Sequence, residues 1–217
     1  MKIACIGYRS WAIDIYKKIQ NDFPDYEYIN QTSKESYNEA EIIQFKPDLT
    51  LFYGWSWIIS DKVIDNFTCL LLHPSALPKY RGGSPIQNQI INGVSESMVS
   101  VIIMTNELDA GPIVGQRKIS LSGDMIEIFS QITEGGISIT RDILINGLSP
   151  VEQDDSLATT CKRREPKDSE ISSEEIMTKS ANYLHNKIRM LQDPYPNAFI
   201  RTADGKKLYL TASRLDD

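Results

Sequence analysis

Residues 68–87 read TCLLLHPSALPKYRGGSPIQ, and this stretch carries the strongest evidence for the architecture of the chain. Its opening run, 68–72, is continuously apolar, which is typical of a central strand in a parallel sheet. The three prolines and two glycines that follow predict a loop with a defined path. Ligands of open parallel sheets bind where the strands end, so His73 stands where a functional side chain is expected.

On both sides of this stretch, strand-like and helical patterns alternate along the chain. Further strand-like runs occupy 2–6, 26–29, 48–53, 98–104 and 113–119, and helical patterns occupy 10–19, 35–43, 85–92 and a longer segment from Asp124. The alternation predicts an α/β fold for residues 1–148, with a Rossmann-like, mostly parallel sheet and helices on both faces. Gly135 and Gly136 are expected to interrupt the last helix.

Residues 149–217 differ in character and are predicted to form an extension to this domain. The polar segment 149–172 predicts an extended connection over the surface. Ser172 and Glu175 then form a capping-box pattern, and one helix is expected from there to Leu191 with its apolar residues on one face.

The extension is predicted to end in a β-hairpin. Asp204 and Gly205 form the turn between the strand-like runs 198–202 and 207–211. A lone hairpin is marginally stable in water, so this one is expected to pack on the helix or on another subunit. We therefore expect a homodimer that uses residues 197–212.

Composition limits the classes of protein that the chain can represent. It has 217 residues, of which 41% are hydrophobic, and a net charge of −6. A duplex nucleic-acid binder is disfavoured because it normally shows a basic face, whereas a local basic loop can still hold an anionic ligand. Three cysteines without metal-ligand spacing indicate reduced thiols and no metal site. With no signal peptide and no membrane-length apolar run, a cytoplasmic protein is expected.

A carboxylate follows another predicted strand and is a candidate partner for His73. Asp109 lies in the segment Glu107 to Pro112, after the apolar run 98–104. Two neighbouring strand ends would bring the imidazole and the carboxylate together, and the carboxylate would then orient the ring. Alone, His73 would more often be a core histidine and Asp109 a turn residue.

The pattern HPSxLPxYRGxxPIQ over 73–87, followed by LDxGPI over 108–113, resembles the formyltransferases that use 10-formyltetrahydrofolate. The segments CKRREP at 161–166, NKIR at 186–189 and DPYPNAF at 193–199 are similar to the tail of the sugar-nucleotide and tRNA members. Glycinamide ribonucleotide formyltransferases lack this tail. The resemblance implies a Rossmann-like fold and transfer of a formyl group to an amine.

The family carries an Asn-His-Asp triad, and the resemblance assigns catalysis to His73 and Asp109. The Asn position, two residues before the histidine, holds Leu71 here. Loss of one oxyanion donor costs about 100- to 1000-fold in rate. Substitute donors are a backbone N–H or one of the side chains Asn106, Gln87 and Asn88.

The resemblance, the position of residues 8–11 after the first strand and the polar and aromatic side chains of residues 79–81 together predict which residues bind the two substrates. Folate is expected to contact Gly54, Trp55, Trp57, Ile58, Met104 and Leu108. The amine substrate is expected to contact Tyr8, Arg9, Ser10, Trp11, Ser75, Lys79, Tyr80, Arg81 and Gly83. The alternatives are a solvated loop for 79–81 and core packing for Trp55 and Trp57. Residues 8–11 form no GxGxxG loop, so a nicotinamide cofactor is disfavoured.

We therefore expect an N-formyltransferase that acts on the amino group of a nucleotide-linked amino-deoxy sugar of a surface polysaccharide, such as lipopolysaccharide O-antigen. Transfer to tRNA is disfavoured by the acidic charge and by the short segment after Pro166. Three alternatives stay open. They are transfer to another small amine, hydrolysis of the formyl-folate, and a non-catalytic folate- or nucleotide-binding protein, which Leu71 motivates.

Overall fold

The computed structural model describes residues 1–216. Its strands are β1 (Lys2–Ile6), β2 (Glu27–Gln31), β3 (Leu49–Tyr53), β4 (Cys69–His73), β5 (Arg81–Gly82), β6 (Glu96–Ile103), β7 (Ile113–Ser120), β8 (Thr160–Cys161), β9 (Ala198–Arg201) and β10 (Lys207–Leu210). Its α-helices are α1 (Ser10–Asp22), α2 (Glu39–Phe45), α3 (Asp61–Ile64), α4 (Pro85–Ile91), α5 (Met125–Asn146), α6 (Ser173–Thr178) and α7 (Ala181–Arg189).

A six-stranded sheet with the order β2-β1-β3-β4-β6-β7 forms the centre of the fold. Strands β1 to β4 run parallel to one another, whereas β6 is antiparallel to both β4 and β7. The prediction of an α/β fold with a mostly parallel sheet is confirmed, and β4 is one of its central strands. None of the helices in residues 1–216 is long and apolar enough to cross a bilayer.

Successive side chains of each strand point to opposite faces of the sheet, and this divides the core in two. Leu70 and Leu72 of β4 belong to the larger cluster, which α1 and α5 cover. Cys69 belongs to the smaller cluster, against which Leu71 packs. By this alternation His73 points to the same face as Cys69 and Leu71.

The prediction that two glycines interrupt the last helix is wrong. Helix α5 is continuous, and a capping box between Asp124 and Glu127 begins it. Both glycines are buried, and a Cβ at Gly136 would lie 2.5 Å from Cδ1 of Ile15 in α1. The missing side chains thus allow α5 to approach α1 and the sheet, which outweighs the low helix propensity of glycine.

The single helix expected between Ser172 and Leu191 is two helices in the structure. Lys179 is extended with ψ 152°, and the Ser180 side chain accepts a hydrogen bond from the Tyr183 N–H, which begins α7. Met177 is 83% exposed and shares no buried face with α7. The capping box at Ser172 is present as predicted.

The predicted hairpin is confirmed as the antiparallel pair β9 and β10. Strand β9 packs on its own chain, since Ala198 and Phe199 are buried in the core and the Phe199 carbonyl accepts from the Ile171 N–H at 2.7 Å. In β10, Leu208 and Tyr209 remain more than half exposed. A partner for this exposed strand stays a prediction.

Candidate active site

His73 ends β4 and is buried, with 5% of its surface exposed. Its Nε2 lies 2.8 Å from the Tyr80 carbonyl oxygen, and its Nδ1 lies 3.5 Å from Oδ2 of Asp109. Because a carbonyl can only accept, Nε2 must carry the hydrogen of this bond. The ring is therefore held by Nε2, and Nδ1 is the nitrogen that faces the carboxylate.

Asp109 is also buried, but it does not reach His73 in the expected way. Since β6 runs antiparallel to β4, the loop after Ile103 begins at the opposite end of β4 from His73. The loop 104–111 folds back to place the carboxylate, and the chain then returns to Ile103, whose N–H donates to the Pro112 carbonyl at 2.9 Å. The two side chains meet after neighbouring strands, as predicted, but the strands are antiparallel, so it is the fold of the loop that brings Asp109 to His73.

The pair can move one proton. The Oδ2 atom of Asp109 accepts from the Gly82 N–H at 2.7 Å, which fixes the carboxylate next to Nδ1. With Nε2 protonated, a neutral ring presents a bare Nδ1 that can take a proton from an attacking nucleophile. A ring protonated on both nitrogens can instead donate from Nδ1 to a developing oxyanion. Burial keeps bulk water from competing for these atoms.

The residue at the position of the missing amide offers no donor. Leu71 packs against the smaller core cluster and pairs with Phe52 of β3 and Ile102 of β6. An amide on this strand would have pointed to the same face as His73. A donor for an oxyanion must therefore come from another element.

The three candidate substitutes lie in different surroundings. Asn88 donates to the carbonyls of Gly83, Ser84 and Lys162. Its amide hydrogens thus hold the loop of residues 74–84, here called the motif loop, which argues against its use as an oxyanion donor. Gln87 is 4% exposed and lines a small cavity of about 80 Å³ to which His73 does not contribute. Asn106 is exposed in the loop that carries Asp109.

The loop after β4 is fixed by internal bonds, which changes the expectation for several of its residues. Ser75 is fully buried and donates to the Lys79 carbonyl at 2.7 Å, and the guanidinium of Arg81 is bound by Gln153 and Asp155. Both side chains are thus occupied within the chain rather than presented to a ligand. Lys79 is exposed.

Two residues of this loop touch the extension. Tyr80 has a φ of 60°, which turns its carbonyl toward His73. A Cβ at Gly83 would lie 2.5 Å from Cβ of Arg163, so glycine is required there by the close approach of the extension. At Tyr80 and Gly83, therefore, the loop contacts His73 and the extension through its backbone rather than through exposed side chains.

Aromatic side chains form a cluster above the ends of β1 and β3. Tyr8 lies 4.9 Å from Trp57 and 6.4 Å from Trp55, measured between ring centroids. The Arg9 guanidinium lies over the rings of Tyr8 and Tyr195, at 4.8 and 5.6 Å from their centroids. A cation next to exposed aromatic surface can bind an anionic or planar group.

Ser10 and Trp11, in the first turn of α1, were also predicted to bind the amine substrate, and they differ in exposure. Ser10 is exposed at the start of the helix. Trp11 is 8% exposed and packs in the larger core cluster, so core packing is the correct interpretation of this tryptophan.

Three of the residues predicted to contact folate are apolar and exposed. Ile58 is 99% exposed, Leu108 72% and Trp57 37%. Trp55 and Met104 are partly buried and pack against the smaller core cluster. Gly54 has a φ of 63° and directs the chain away from β3, which is hydrogen-bonded to the strand that carries His73. Exposed apolar side chains beside a buried polar pair suit a planar, largely apolar ligand.

Sequence reasoning missed the contribution of the polar segment after α5. This segment runs over the surface as predicted, but it also pairs with the motif loop through β8 and β5. Gln153 donates to the carbonyls of Asp109 and Gly111, and Thr159 accepts from the Tyr80 N–H at 2.9 Å. No local pattern marks these residues, because their partners lie more than 40 positions away in the sequence.

Comparison with known proteins places the chain in a family. A family model described as formyl transferase matches residues 14–127, more than half of the chain. The methionyl-tRNA formyltransferase of Thermotoga maritima is 34% identical over an alignment of 193 positions, which covers 82% of this chain and 60% of that protein. The chain thus spans less than two thirds of the length of this curated relative.

Solved structures agree with this assignment. A methionyl-tRNA formyltransferase from Clostridium thermocellum has a TM-score of 0.86 at 30% identity, with 96% of each chain covered. A sugar N-formyltransferase from Shewanella sp. FDAARGOS_354 has a TM-score of 0.76 over 100% of this chain and 99% of that one, and at 15% identity it shows the fold alone. The chain belongs to the formyltransferase family, as the motifs of residues 73–113 predicted.

Proposed function

We propose that the protein transfers a formyl group from 10-formyltetrahydrofolate to the amino group of a nucleotide-linked amino sugar. The observation that supports this most is the buried pair of His73 and Asp109 at the end of a central strand, in a chain of the formyltransferase family. Both side chains are less than a tenth exposed, so the proposed chemistry takes place away from bulk water.

In the proposed reaction the amine nitrogen attacks the formyl carbon of the folate. The new C–N bond forms as an oxyanion develops, and the bond from the formyl carbon to N10 then breaks. Nδ1 of His73, next to Asp109, takes the proton that the amine loses, and this proton is returned to N10 of the leaving tetrahydrofolate. The products are the formamide and tetrahydrofolate.

The oxyanion requires a donor that Leu71 does not supply. Asn106 is the proposed side-chain donor, because Asn88 is committed to backbone carbonyls and Gln87 lines a cavity to which His73 does not contribute. Asn106→Ala is expected to lower kcat by about 100-fold. Single variants of Gln87 and Asn88 serve as comparisons, and an unchanged kcat for Asn106→Ala would assign the role to a backbone N–H.

The exposed apolar surface of Trp57, Ile58 and Leu108 is the proposed wall for the pterin of the folate. Arg9, which stacks on two tyrosines, is the proposed contact for the pyrophosphate of the sugar nucleotide. In this proposal the folate lies near the end of β3 and the nucleotide near the end of β1.

A second acceptor is supported by the sequence comparisons. The relatives at 30% to 34% identity are named methionyl-tRNA formyltransferases. The net charge of −6 favours the sugar nucleotide, because a polyanionic acceptor requires a basic surface. The two acceptors are therefore tested together.

The test is an assay with 10-formyltetrahydrofolate and a panel of nucleotide-linked amino sugars, with charged methionyl-tRNA as a further acceptor. Tetrahydrofolate release and the formyl mass increment on the acceptor are measured. We expect transfer to one sugar, and we expect His73→Ala to abolish it. His185→Ala changes the second histidine of the chain and should retain the activity. Transfer to tRNA alone would establish the second acceptor. Formate release without an acceptor would indicate hydrolysis, and binding without turnover would indicate a non-catalytic protein.

A further inference from the structure

The side chain of Gln153 joins the two segments that hold His73. Its Nε2 donates to the Asp109 carbonyl at 2.9 Å and to the Gly111 carbonyl at 2.7 Å. Its Oε1 accepts from Nε and Nη2 of Arg81 at 3.1 and 2.9 Å. One amide therefore bonds both to the turn that carries the carboxylate and to the motif loop.

The turn at Asp109 is in a backbone conformation that needs such support. Asp109 has a φ of 54°, in the left-handed region that side-chain-bearing residues rarely adopt. Such a conformation persists only where surrounding contacts fix it. Here the Gln153 amide holds the carbonyls at both ends of the segment from Asp109 to Gly111, and the carboxylate itself is held by the Gly82 N–H.

Arg81, which bonds to Oε1 of Gln153, is itself held by further hydrogen bonds. Arg81 is 7% exposed, and its guanidinium also bonds to Asp155 at 2.7 Å. The residue that follows it, Gly82, donates its N–H to Asp109. Movement of Arg81 would therefore move the donor that positions the carboxylate. Both polar atoms of the Gln153 side chain therefore bond to groups next to the His73–Asp109 pair: Nε2 to the backbone of the turn at Asp109, and Oε1 to Arg81, which precedes Gly82.

We propose that Gln153 is a positioning residue, which sets the distance between the Asp109 carboxylate and Nδ1 of His73. The proposal rests on the proposed function for its kinetic consequence, although the geometry that it predicts can be measured without a substrate. If Gln153 has this role, the polar segment of residues 149–172 contributes to the reaction and does not only connect two parts of the chain.

Gln153→Glu is the test variant, because it retains the size of the side chain and an acceptor for Arg81. It replaces the two donated hydrogens with an oxygen that faces two carbonyl oxygens. We expect kcat to fall by about 10- to 100-fold, the effect of a misplacement of about 1 Å, with the KM of each substrate nearly unchanged. Glu152→Gln, an exposed neighbour with the reverse exchange, is the matched control and should retain full kcat.

Nitrogen NMR of the imidazole provides a readout that needs no turnover. The chain has two histidines, so His185→Gln leaves the signals of His73 alone. The Nε2 bond to the Tyr80 carbonyl predicts an Nε2–H tautomer in the parent protein. We expect Gln153→Glu to shift or broaden the Nδ1 signal, whereas Glu152→Gln leaves it unchanged. Gln153→Met, which removes all four hydrogen bonds, replaces the Glu variant if that variant does not fold.

The outcomes separate the two proposals. An unchanged Nδ1 signal together with an unchanged kcat would overturn the positioning role. A lower kcat with a lower melting temperature and an unchanged Nδ1 signal would also overturn it, because the effect would then be general destabilisation. If no acceptor is formylated but the signal responds to Gln153→Glu alone, the positioning role stands and the proposed acceptor is wrong.

Discussion

The two adjacent glycines of α5 allow a test of the packing in which the chemical change is the same at both positions. A Cβ at Gly136 would lie 2.5 Å from Cδ1 of Ile15 and 2.8 Å from Cδ1 of Leu72, both buried in the core. A Cβ at Gly135 would lie 3.4 Å from Val99, an ordinary contact distance. We therefore expect Gly136→Ala to overpack the core and Gly135→Ala to fit.

The magnitudes follow from two opposing effects. Alanine in place of glycine inside a helix stabilises by about 1 kcal/mol. Overpacking of a well-packed core destabilises by about 1–3 kcal/mol. Gly135→Ala is thus expected to raise the free energy of unfolding by up to about 1 kcal/mol. Gly136→Ala is expected to lie about 1–3 kcal/mol below it, because only this variant carries the overpacking penalty.

The measurement is urea and thermal unfolding of the two variants and the parent, followed by far-UV circular dichroism. For a chain of this size, 1 kcal/mol corresponds to about 2–4 °C in melting temperature, so the variants should be separated by at least about 2 °C. An equal gain in stability for both variants would refute the close approach of α5 to Ile15 and Leu72.

Three further predictions concern the site and the extension. Asp109→Asn is expected to lower kcat by about 100- to 10,000-fold in the formyl-transfer assay, because the neutral amide cannot stabilise the imidazolium that forms when Nδ1 of His73 takes the proton; a change of less than tenfold would contradict its role. Ile58→Asp is expected to raise the KM for 10-formyltetrahydrofolate without changing the melting temperature, and the same substitution at Ile145, which is 69% exposed on α5, should leave that KM unchanged. Burial acts to raise the pKa of the Glu175 carboxyl, but hydrogen bonds from Lys187, the Ser172 N–H and Tyr183, together with the charge of Lys187, outweigh it and hold that pKa below its usual value. The folded-state pKa is lowered, so the pair stabilises the fold above the ordinary pKa of glutamate and loses this effect as the pH falls through the lowered value. Glu175→Gln should therefore reduce the free energy of unfolding at neutral pH by about 3 kcal/mol and by less in acid, and an equal loss at both pH values would show that the ion pair is not the cause.

Several elements were predictable because their signals are local. The apolar runs marked the strands, and the Asp-Gly turn marked the hairpin of β9 and β10. The capping box at Ser172 began α6 at the predicted residue. The motif of residues 73–87 located His73 at the end of β4, because a strand followed by a Pro- and Gly-rich loop has few other interpretations.

Other predictions failed where a distant contact decided the outcome. The glycines of α5 read as a helix break, but the approach of Ile15 makes them necessary in a continuous helix. Trp11 and Arg81 read as ligand contacts, and both are buried within the chain. Burial depends on partners that no window of sequence contains.

The sequence by itself thus determined the α/β class, the family and the two residues of the proposed catalytic pair, since each depends on local periodicity or on a short motif. The tertiary structure alone decided how that pair is assembled. The antiparallel direction of β6 sets the route by which Asp109 reaches His73, and the bonds of Gln153 and Thr159 hold their surroundings. The physical reason is that strand direction and hydrogen bonds between distant segments are properties of the folded chain, whereas helix caps, turns and apolar runs are properties of a few consecutive residues.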